Sequence, residues 1–180
     1  MSSALAYRFA PLSLILALML LLNVACASSH LRTEDFQQPR AFRIDAQANI
    51  PNTEQNRAVL ETVNTYRQAM VRKDLKTLAS LIASNYYENA STTDDLSDDY
   101  GNERLPELLH EYLGQSVREM RYAMEIKQLT SALDTILVDY QYDISFRYEY
   151  AGREYWHSKN DVNRLTLVWE DDTWKIAGGL

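Results

Sequence analysis

Residues 136–150 read ILVDYQYDISFRYEY and carry the clearest structural pattern in the sequence. Apolar or aromatic side chains occupy its even positions, which are Ile136, Val138, Tyr140, Tyr142, Ile144, Phe146, Tyr148 and Tyr150. Most odd positions are polar, namely Asp139, Gln141, Asp143, Ser145, Arg147 and Glu149. Because successive side chains of a strand point to opposite faces, the alternation predicts a long antiparallel strand with one packed face. Buried tyrosine hydroxyls need hydrogen-bond partners, so we expect this face to line a cavity.

The same alternation extends to the neighbouring segments and predicts their pairing. A strand over residues 118–128 would join the first through a loop at residues 130–132, which places Tyr122 opposite Tyr140. On the other side, a turn at residues 151–152 places Phe146 opposite His157 and begins a strand that runs to residue 170. A bulge between Lys159 and Val162 would instead turn His157 outward, and the sequence leaves this alternative open.

Three helices are predicted before these strands. The first begins at an Asn52 or Thr53 cap and ends near Lys73, and the second begins at Asp74. The third covers residues 105–113, with Asn102 as its cap. Helices followed by a meander of long strands predict an α+β domain in which helices pack on a strongly curved antiparallel sheet.

This order of elements resembles the nuclear transport factor 2-like superfamily, also called SnoaL-like. The resemblance covers residues 53–180 and depends on a few short matches, which are Tyr66, Lys73-Asp74-Leu75, Leu78, the helix over residues 105–113 and Trp174-Lys175-Ile176. It implies a cone-shaped fold with a pocket between helices and sheet. The superfamily includes isomerases, dehydratases, cyclases and proteins that only bind, and no stretch matches the catalytic pattern of one enzyme branch.

The first 25 residues predict export. One cation, Arg8, precedes an apolar run over residues 12–22, which is the length of a signal-peptide core. The following VACASS, residues 24–29, resembles a bacterial lipoprotein signal, in which the cysteine is lipidated and becomes the new N-terminus. We therefore expect a signal peptide over residues 1–25, lipidation at Cys26, a flexible tether over residues 26–52 and one domain over residues 53–180.

That leader predicts a protein of the cell envelope that faces the periplasm, with the outer membrane favoured over the inner. The alternative is ordinary cleavage within Ala25-Cys26-Ala27, which would release a soluble secreted protein. The formal charge is −7 and becomes −8 once residues 1–25, whose one charged side chain is Arg8, are removed. This acidity disfavours nucleic acid as a partner, since such binding depends on Lys and Arg.

Titratable and hydroxyl groups converge in one place, the packed face of the strands. His157 and Asp161 lie on one face about 13 Å apart, so they could act on opposite ends of a bound molecule but cannot bond directly. These two and Tyr142 are the candidate catalytic residues. The predicted pocket lining comprises Tyr66, Tyr122, Tyr140, Tyr142, Tyr148 and His157.

The sequence carries no signature of zinc, phosphate or serine-nucleophile chemistry, so we expect neither metal nor cofactor. The favoured function is a tethered binding pocket for a small hydrophobic ligand or an envelope protein. The alternative is an isomerase, dehydratase or hydrolase that acts on a small hydrophobic substrate. Charged residues on the outer sheet face predict a monomer or a weak dimer.

Overall fold

The computed structural model describes residues 29–89 and 97–180. The helices are α1 (Glu54–Arg72), α2 (Leu75–Ser80) and α3 (Leu105–Leu109), which continues as a π-helical segment, His110–Ser116. The strands are β1 (Phe42–Ile44), β2 (Tyr87–Glu88), β3 (Tyr100–Gly101), β4 (Val117–Ala132), β5 (Thr135–Tyr150), β6 (Arg153–Glu170) and β7 (Thr173–Gly178). The main sheet has the order β1-β4-β5-β6-β7, and β2 pairs with β3 separately. The predicted α+β fold with a curved, mainly antiparallel sheet is confirmed.

The two first helices begin where the sequence predicts. The Thr53 side chain accepts a hydrogen bond from the Asn56 backbone N–H at 3.1 Å and caps α1. Asp74 caps α2, because its carboxylate accepts hydrogen bonds from the backbone N–H and the hydroxyl of Thr77 at 3.0 and 2.7 Å. The third helix differs from the prediction, since its N-cap position is Arg104 rather than Asn102 and its second half has wide π turns.

Strand pairing confirms one predicted register and corrects another. Between β5 and β6, Phe146 lies opposite His157 without any register shift along the ladder, so no bulge turns His157 outward. Between β4 and β5 the predicted pairing of Tyr122 with Tyr140 is wrong, because Tyr122 lies opposite Ile144. The strands are longer than predicted and turn at residues 133–134, where Leu133 adopts a φ of 52°.

The first described segment, residues 29–52, is part of the fold and not the flexible tether that the sequence predicted. Its side chains Leu31, Phe36, Phe42 and Ile50 are all buried. In addition, β1 pairs in parallel with residues 124–126 of β4. The prediction failed because these apolar residues are spaced without a helical or strand period, yet together they cover one end of the core. The predicted signal peptide and the predicted lipidation site, Cys26, lie outside the described residues.

Candidate functional site

A cavity of about 850 Å³ lies between the helices and the concave face of the sheet. Its wall is mainly apolar, formed by Met70, Leu78, Leu105, Leu108, Leu109, Leu113, Val117, Met120, Ile144, Phe146 and Leu180. Polar and aromatic side chains complete the wall, namely Tyr66, Ser97, Asp98, Tyr100, Arg104, Tyr112, Ser116, Tyr148 and His157. The third helix and its π segment therefore face the cavity with one stripe of side chains, which we call the α3 stripe: Leu105, Leu108, Leu109, Tyr112 and Leu113. Strands β4 to β6 form the opposite wall.

A row of tyrosine hydroxyls begins with Tyr66 in the wall at the buried end of the cavity and continues behind that wall. Tyr66, from α1, is 4% exposed and forms a hydrogen bond with Tyr122. The hydroxyls of Tyr122 and Tyr140 lie 3.4 Å apart, and Asn163 Nδ2 donates to the Tyr140 hydroxyl at 3.3 Å. Burial raises the pKa of all three phenols, because an anionic phenolate would lose its hydration there. This end of the cavity therefore presents the neutral Tyr66 hydroxyl, which can donate and accept hydrogen bonds.

His157 lies at the exposed end of the same wall. Its imidazole packs on the Phe146 ring, with the ring centroids 5.2 Å apart, and Tyr148 stacks on Tyr155 beside it. Asp98 and Arg104 also line the cavity, from the loop before α3 and from the α3 N-cap position. The cavity thus has an uncharged buried end and an open end that includes ionisable groups.

Six predicted pocket residues divide into two groups. Tyr66, Tyr148 and His157 line the cavity. The structure places Tyr122, Tyr140 and Tyr142 outside that lining. Tyr122 and Tyr140 are 7% and 1% exposed and lie behind the wall, where they support Tyr66.

The three candidate catalytic residues do not meet. Asp161 forms an ion pair with Lys159 at 2.7 Å, and this hydrogen bond, followed by one from the Val162 N–H, lowers the pKa of Asp161. Tyr142 packs edge-on against Tyr122 and lies under the Lys159 ammonium, which is 5.9 Å from the ring centroid. His157 reaches the cavity wall alone among the three, since neither Asp161 nor Tyr142 belongs to the described lining.

The sequence did not identify the tyrosine pair at the other side of the cavity. Tyr100, in β3, lines the cavity beside Tyr86, with ring centroids 6.3 Å apart. Burial raises the pKa of both phenols; the next cause is the nearby charge of Glu88 for Tyr100, whereas for Tyr86 it is Tyr100, followed by Glu88. Glu88 is itself held by the Gly179 N–H at 3.0 Å. Two-residue strands such as β2 and β3 have no readable period, so this pair carried no sequence signal.

Neither a metal centre nor a membrane span is evident in the described ranges, 29–89 and 97–180. No group of three or more His, Cys, Asp or Glu side chains in these ranges is placed to hold a metal ion. No helix within them is long and apolar enough to cross a bilayer.

Solved structures with the same fold provide the comparison. A conserved protein from Planctomyces limnophilus is 13% identical, over 69% of this chain and 92% of its own, with a TM-score of 0.58. A putative scytalone dehydratase from Novosphingobium aromaticivorans is 16% identical over 69% and 80%, with a TM-score of 0.57. A putative dehydratase of the NTF2-like family from Streptomyces avermitilis is 15% identical over 69% and 92%, with a TM-score of 0.56.

These similarities show that the chain has the nuclear transport factor 2-like cone fold, as the resemblance implied. No protein-family model matches the chain, and no curated protein sequence matches it. At these identities the comparisons establish the fold alone, so function has to be argued from the cavity.

Proposed function

We propose that the domain binds a small, largely apolar and uncharged molecule in the cavity, without chemical turnover, in a protein anchored to the envelope through a lipid on Cys26. The observation that carries the binding proposal is the cavity itself. Its volume of about 850 Å³ and its mainly apolar wall match those of small-molecule sites, which span roughly 300–1,000 Å³.

The buried end supports an uncharged ligand. Tyr66 is neutral at physiological pH, and burial raises its pKa further from that range; its hydroxyl belongs to a row of equally neutral phenols. A charged group placed there would lose its hydration without gaining an opposite charge, which is unfavourable. A hydroxyl or carbonyl of the ligand could instead exchange a hydrogen bond with Tyr66.

A probe-binding experiment tests this proposal. Nile red, an uncharged fluorophore, is titrated into the protein and into Leu109→Trp, which fills the cavity, and Leu133→Trp, a matched control at the fully exposed β4–β5 turn. We expect Leu109→Trp to weaken binding at least about tenfold and the control to bind like the unmodified protein. Equal affinity of all three proteins, each with an unchanged melting temperature, would refute the cavity as the site.

The anchor is tested separately. Cells that express the full chain are labelled with a fatty acid analogue, and Cys26→Ser provides the control because Cys26 is the chain's one cysteine. We expect the label on the unmodified chain and in the outer-membrane fraction. Label retained by Cys26→Ser would contradict lipidation, and an unlabelled protein in the medium would support the secreted alternative.

A second candidate function is catalysis by an isomerase, dehydratase or hydrolase. The observation that favours it is the His157 imidazole in the cavity wall, where it could carry a proton, and the fold is shared with two putative dehydratases. In this hypothesis Asp161 orients the substrate and Tyr142 donates a hydrogen bond, although both lie outside the lining.

This alternative has its own test. Ligands that copurify with the protein are identified by native mass spectrometry and then incubated with it. Turnover that His157→Ala abolishes, with ligand affinity unchanged, would establish catalysis. Turnover that persists in both His157→Ala and Asp161→Ala would exclude these two residues as proton carriers, and no turnover at all would leave a binding pocket.

A further inference from the structure

Strand β6 has a long free edge at its N-terminal half. On one side β6 pairs with β5 along its whole length, but on the other side β7 pairs only with residues 166–170. The C-terminal end of the chain covers the next part of the edge, where Asn163 Nδ2 donates to the Gly179 carbonyl at 3.0 Å. Among the described residues, no strand pairs with residues 153–162 on this side, and all but one of these ten residues are exposed.

This edge has only some of the features that usually protect an exposed strand. Proteins discourage edge pairing with charged side chains, prolines, bulges or very short strands. Four of residues 153–162 are charged, but these residues contain no proline, and the β5–β6 ladder has no register shift beside them. Large apolar side chains are exposed here as well, since Trp156 is 51% and Val162 is 71% exposed. Apart from the Val162 N–H, which donates to Asp161 Oδ1 at 2.9 Å, the backbone N–H and C=O groups on this side are therefore available to another strand.

We propose that this edge pairs antiparallel with the same edge of a second copy, about a two-fold axis at His157. In that register Arg153 faces Asp161 of the second copy, and Tyr155 faces Lys159. On the other face Glu154 lies opposite Asn160 and Trp156 opposite Ser158. The Arg153–Asp161 pair of opposite charges occurs twice, once on each side of the two-fold axis. No two like charges face each other across the strands.

Charge complementarity selects this register over its neighbours. Moving the axis to Trp156 would place Arg153 opposite Lys159, a pair of like charges. Moving it to Ser158 would place Arg153 opposite Asn163, which the Gly179 carbonyl already covers, and would leave Asp161 opposite Tyr155. With the axis at His157, the paired residues run from Arg153, directly after the β5–β6 turn, to Asp161, just before the part of the edge that the C-terminal end covers.

The pairing has a consequence for the cavity. Because directly opposite residues share a face, the concave faces of the two copies become continuous across the axis. His157 lines the cavity near that axis, so Tyr155 and Lys159 of the second copy would stand beside its open end. Only one strand edge from each copy is buried, so the association is weaker than that of a standard-size interface.

Engineered cysteines test the register in the full chain carrying Cys26→Ser, which has no other cysteine. His157→Cys places two cysteines opposite each other, with Cα atoms about 4.5–5.5 Å apart, which is within disulfide range. Val162→Cys is the matched control, because Val162 is uncharged and 71% exposed and its two cysteines would be offset by ten residues, about 33 Å. Under mild oxidation we expect at least about tenfold more covalent dimer from His157→Cys. Equal yields from both variants, or no dimer from either, would overturn the proposal.

A charge exchange provides a second test that does not depend on oxidation. Arg153→Asp and Asp161→Arg should each weaken association about tenfold in sedimentation equilibrium, and the double variant should restore it, since the opposite charges then meet again. Asp172→Arg, on the distant β6–β7 turn, changes the net charge equally and should have no effect. Circular dichroism confirms that each variant is folded. Failure of the double variant to recover association would contradict the register.

Discussion

Replacing the buried Arg67 is expected to destabilise the domain strongly and to release its first segment. The guanidinium is 2% exposed, and its described partners are all neutral acceptors. Nε donates to Asn64 Oδ1 at 3.1 Å, Nη1 to the Tyr122 carbonyl at 3.2 Å and Nη2 to Gln38 Oε1 at 2.6 Å. Asn64 in turn donates to the Gln37 carbonyl at 3.1 Å. These contacts join α1 to β4 and to residues 37–38 of the first segment.

The magnitude follows from these three bonds. Hydrogen bonds to a charged group contribute about 1.5–3 kcal/mol each, so their gross loss in Arg67→Ala is about 4–9 kcal/mol. Part of this loss is offset, because the charge no longer has to be desolvated, which is the effect that lowers the pKa of Arg67. Because the Tyr122 carbonyl and the Gln38 amide lose a donor, we expect a net loss of about 3–5 kcal/mol in the free energy of unfolding.

Urea denaturation measures this loss, and limited proteolysis reports whether residues 29–52 detach first. The matched control is Arg72→Ala on the same helix, whose exposed side chain donates one bond to Gln68 at 3.4 Å. The control should change the unfolding free energy by less than about 0.5 kcal/mol. A loss below about 1 kcal/mol in Arg67→Ala, with residues 29–52 still protected, would refute the assigned role of the guanidinium.

Three further predictions concern caps, turns and pH. Asp74→Ala removes the α2 cap and should lower the melting temperature by about 3 °C in calorimetry, whereas Asp74→Asn should retain most of the stability. Gly179→Ala should lower the melting temperature more than Gly152→Ala. Both glycines have positive φ, but only at Gly179 would an added Cβ atom clash with the backbone, at 1.9 Å from the Arg164 carbonyl oxygen. Hydrogen bonds hold the pKa values of Asp74, Asp161 and Glu170 below those of free carboxyl groups. These carboxylates therefore stabilise the folded state above about pH 4, and the urea midpoint should fall as the pH drops from 5 to 3. A midpoint that rises over that interval would contradict the sign.

Side-chain parity explains which parts of the fold the sequence could predict. The alternation in β5 fixed the faces of β5 and β6, and therefore the inward position of His157 opposite Phe146. A register error of an even number of residues does not change the face of the sheet to which a side chain points. For this reason Tyr122 points to the packed face as predicted, although it pairs with Ile144 and not Tyr140. The error has two parts. The turn at Leu133, an apolar and fully exposed residue, shifts the predicted pairing by five residues, and a bulge between Ile126 and Gln128 reduces that shift to four.

The buried polar contacts could not be predicted in the same way. From the sequence alone, a single arginine next to Tyr66 on α1 would be expected to face solvent. Arg67 is nevertheless buried, because the Gln38 side chain and the Tyr122 carbonyl accept hydrogen bonds from its guanidinium. Those acceptors lie 29 and 55 residues away in sequence, so no local pattern links them to Arg67. Likewise, the α3 stripe was predictable as a packed face, but the sequence did not indicate that it faces a cavity.

The packing of residues 29–52 changes the geometry of the proposed anchor. With a flexible tether over residues 26–52, the domain could move freely above the membrane surface. In the structure Leu31 is already buried, and its N–H donates to the Ile50 carbonyl at 2.9 Å. Only four residues lie between Cys26 and Leu31, so their Cα atoms are at most about 18 Å apart in extended chain. A lipid on Cys26 would therefore hold the domain against the membrane, and two copies confined to that surface would meet at a higher local concentration than in solution, which favours a weak association through the β6 edge.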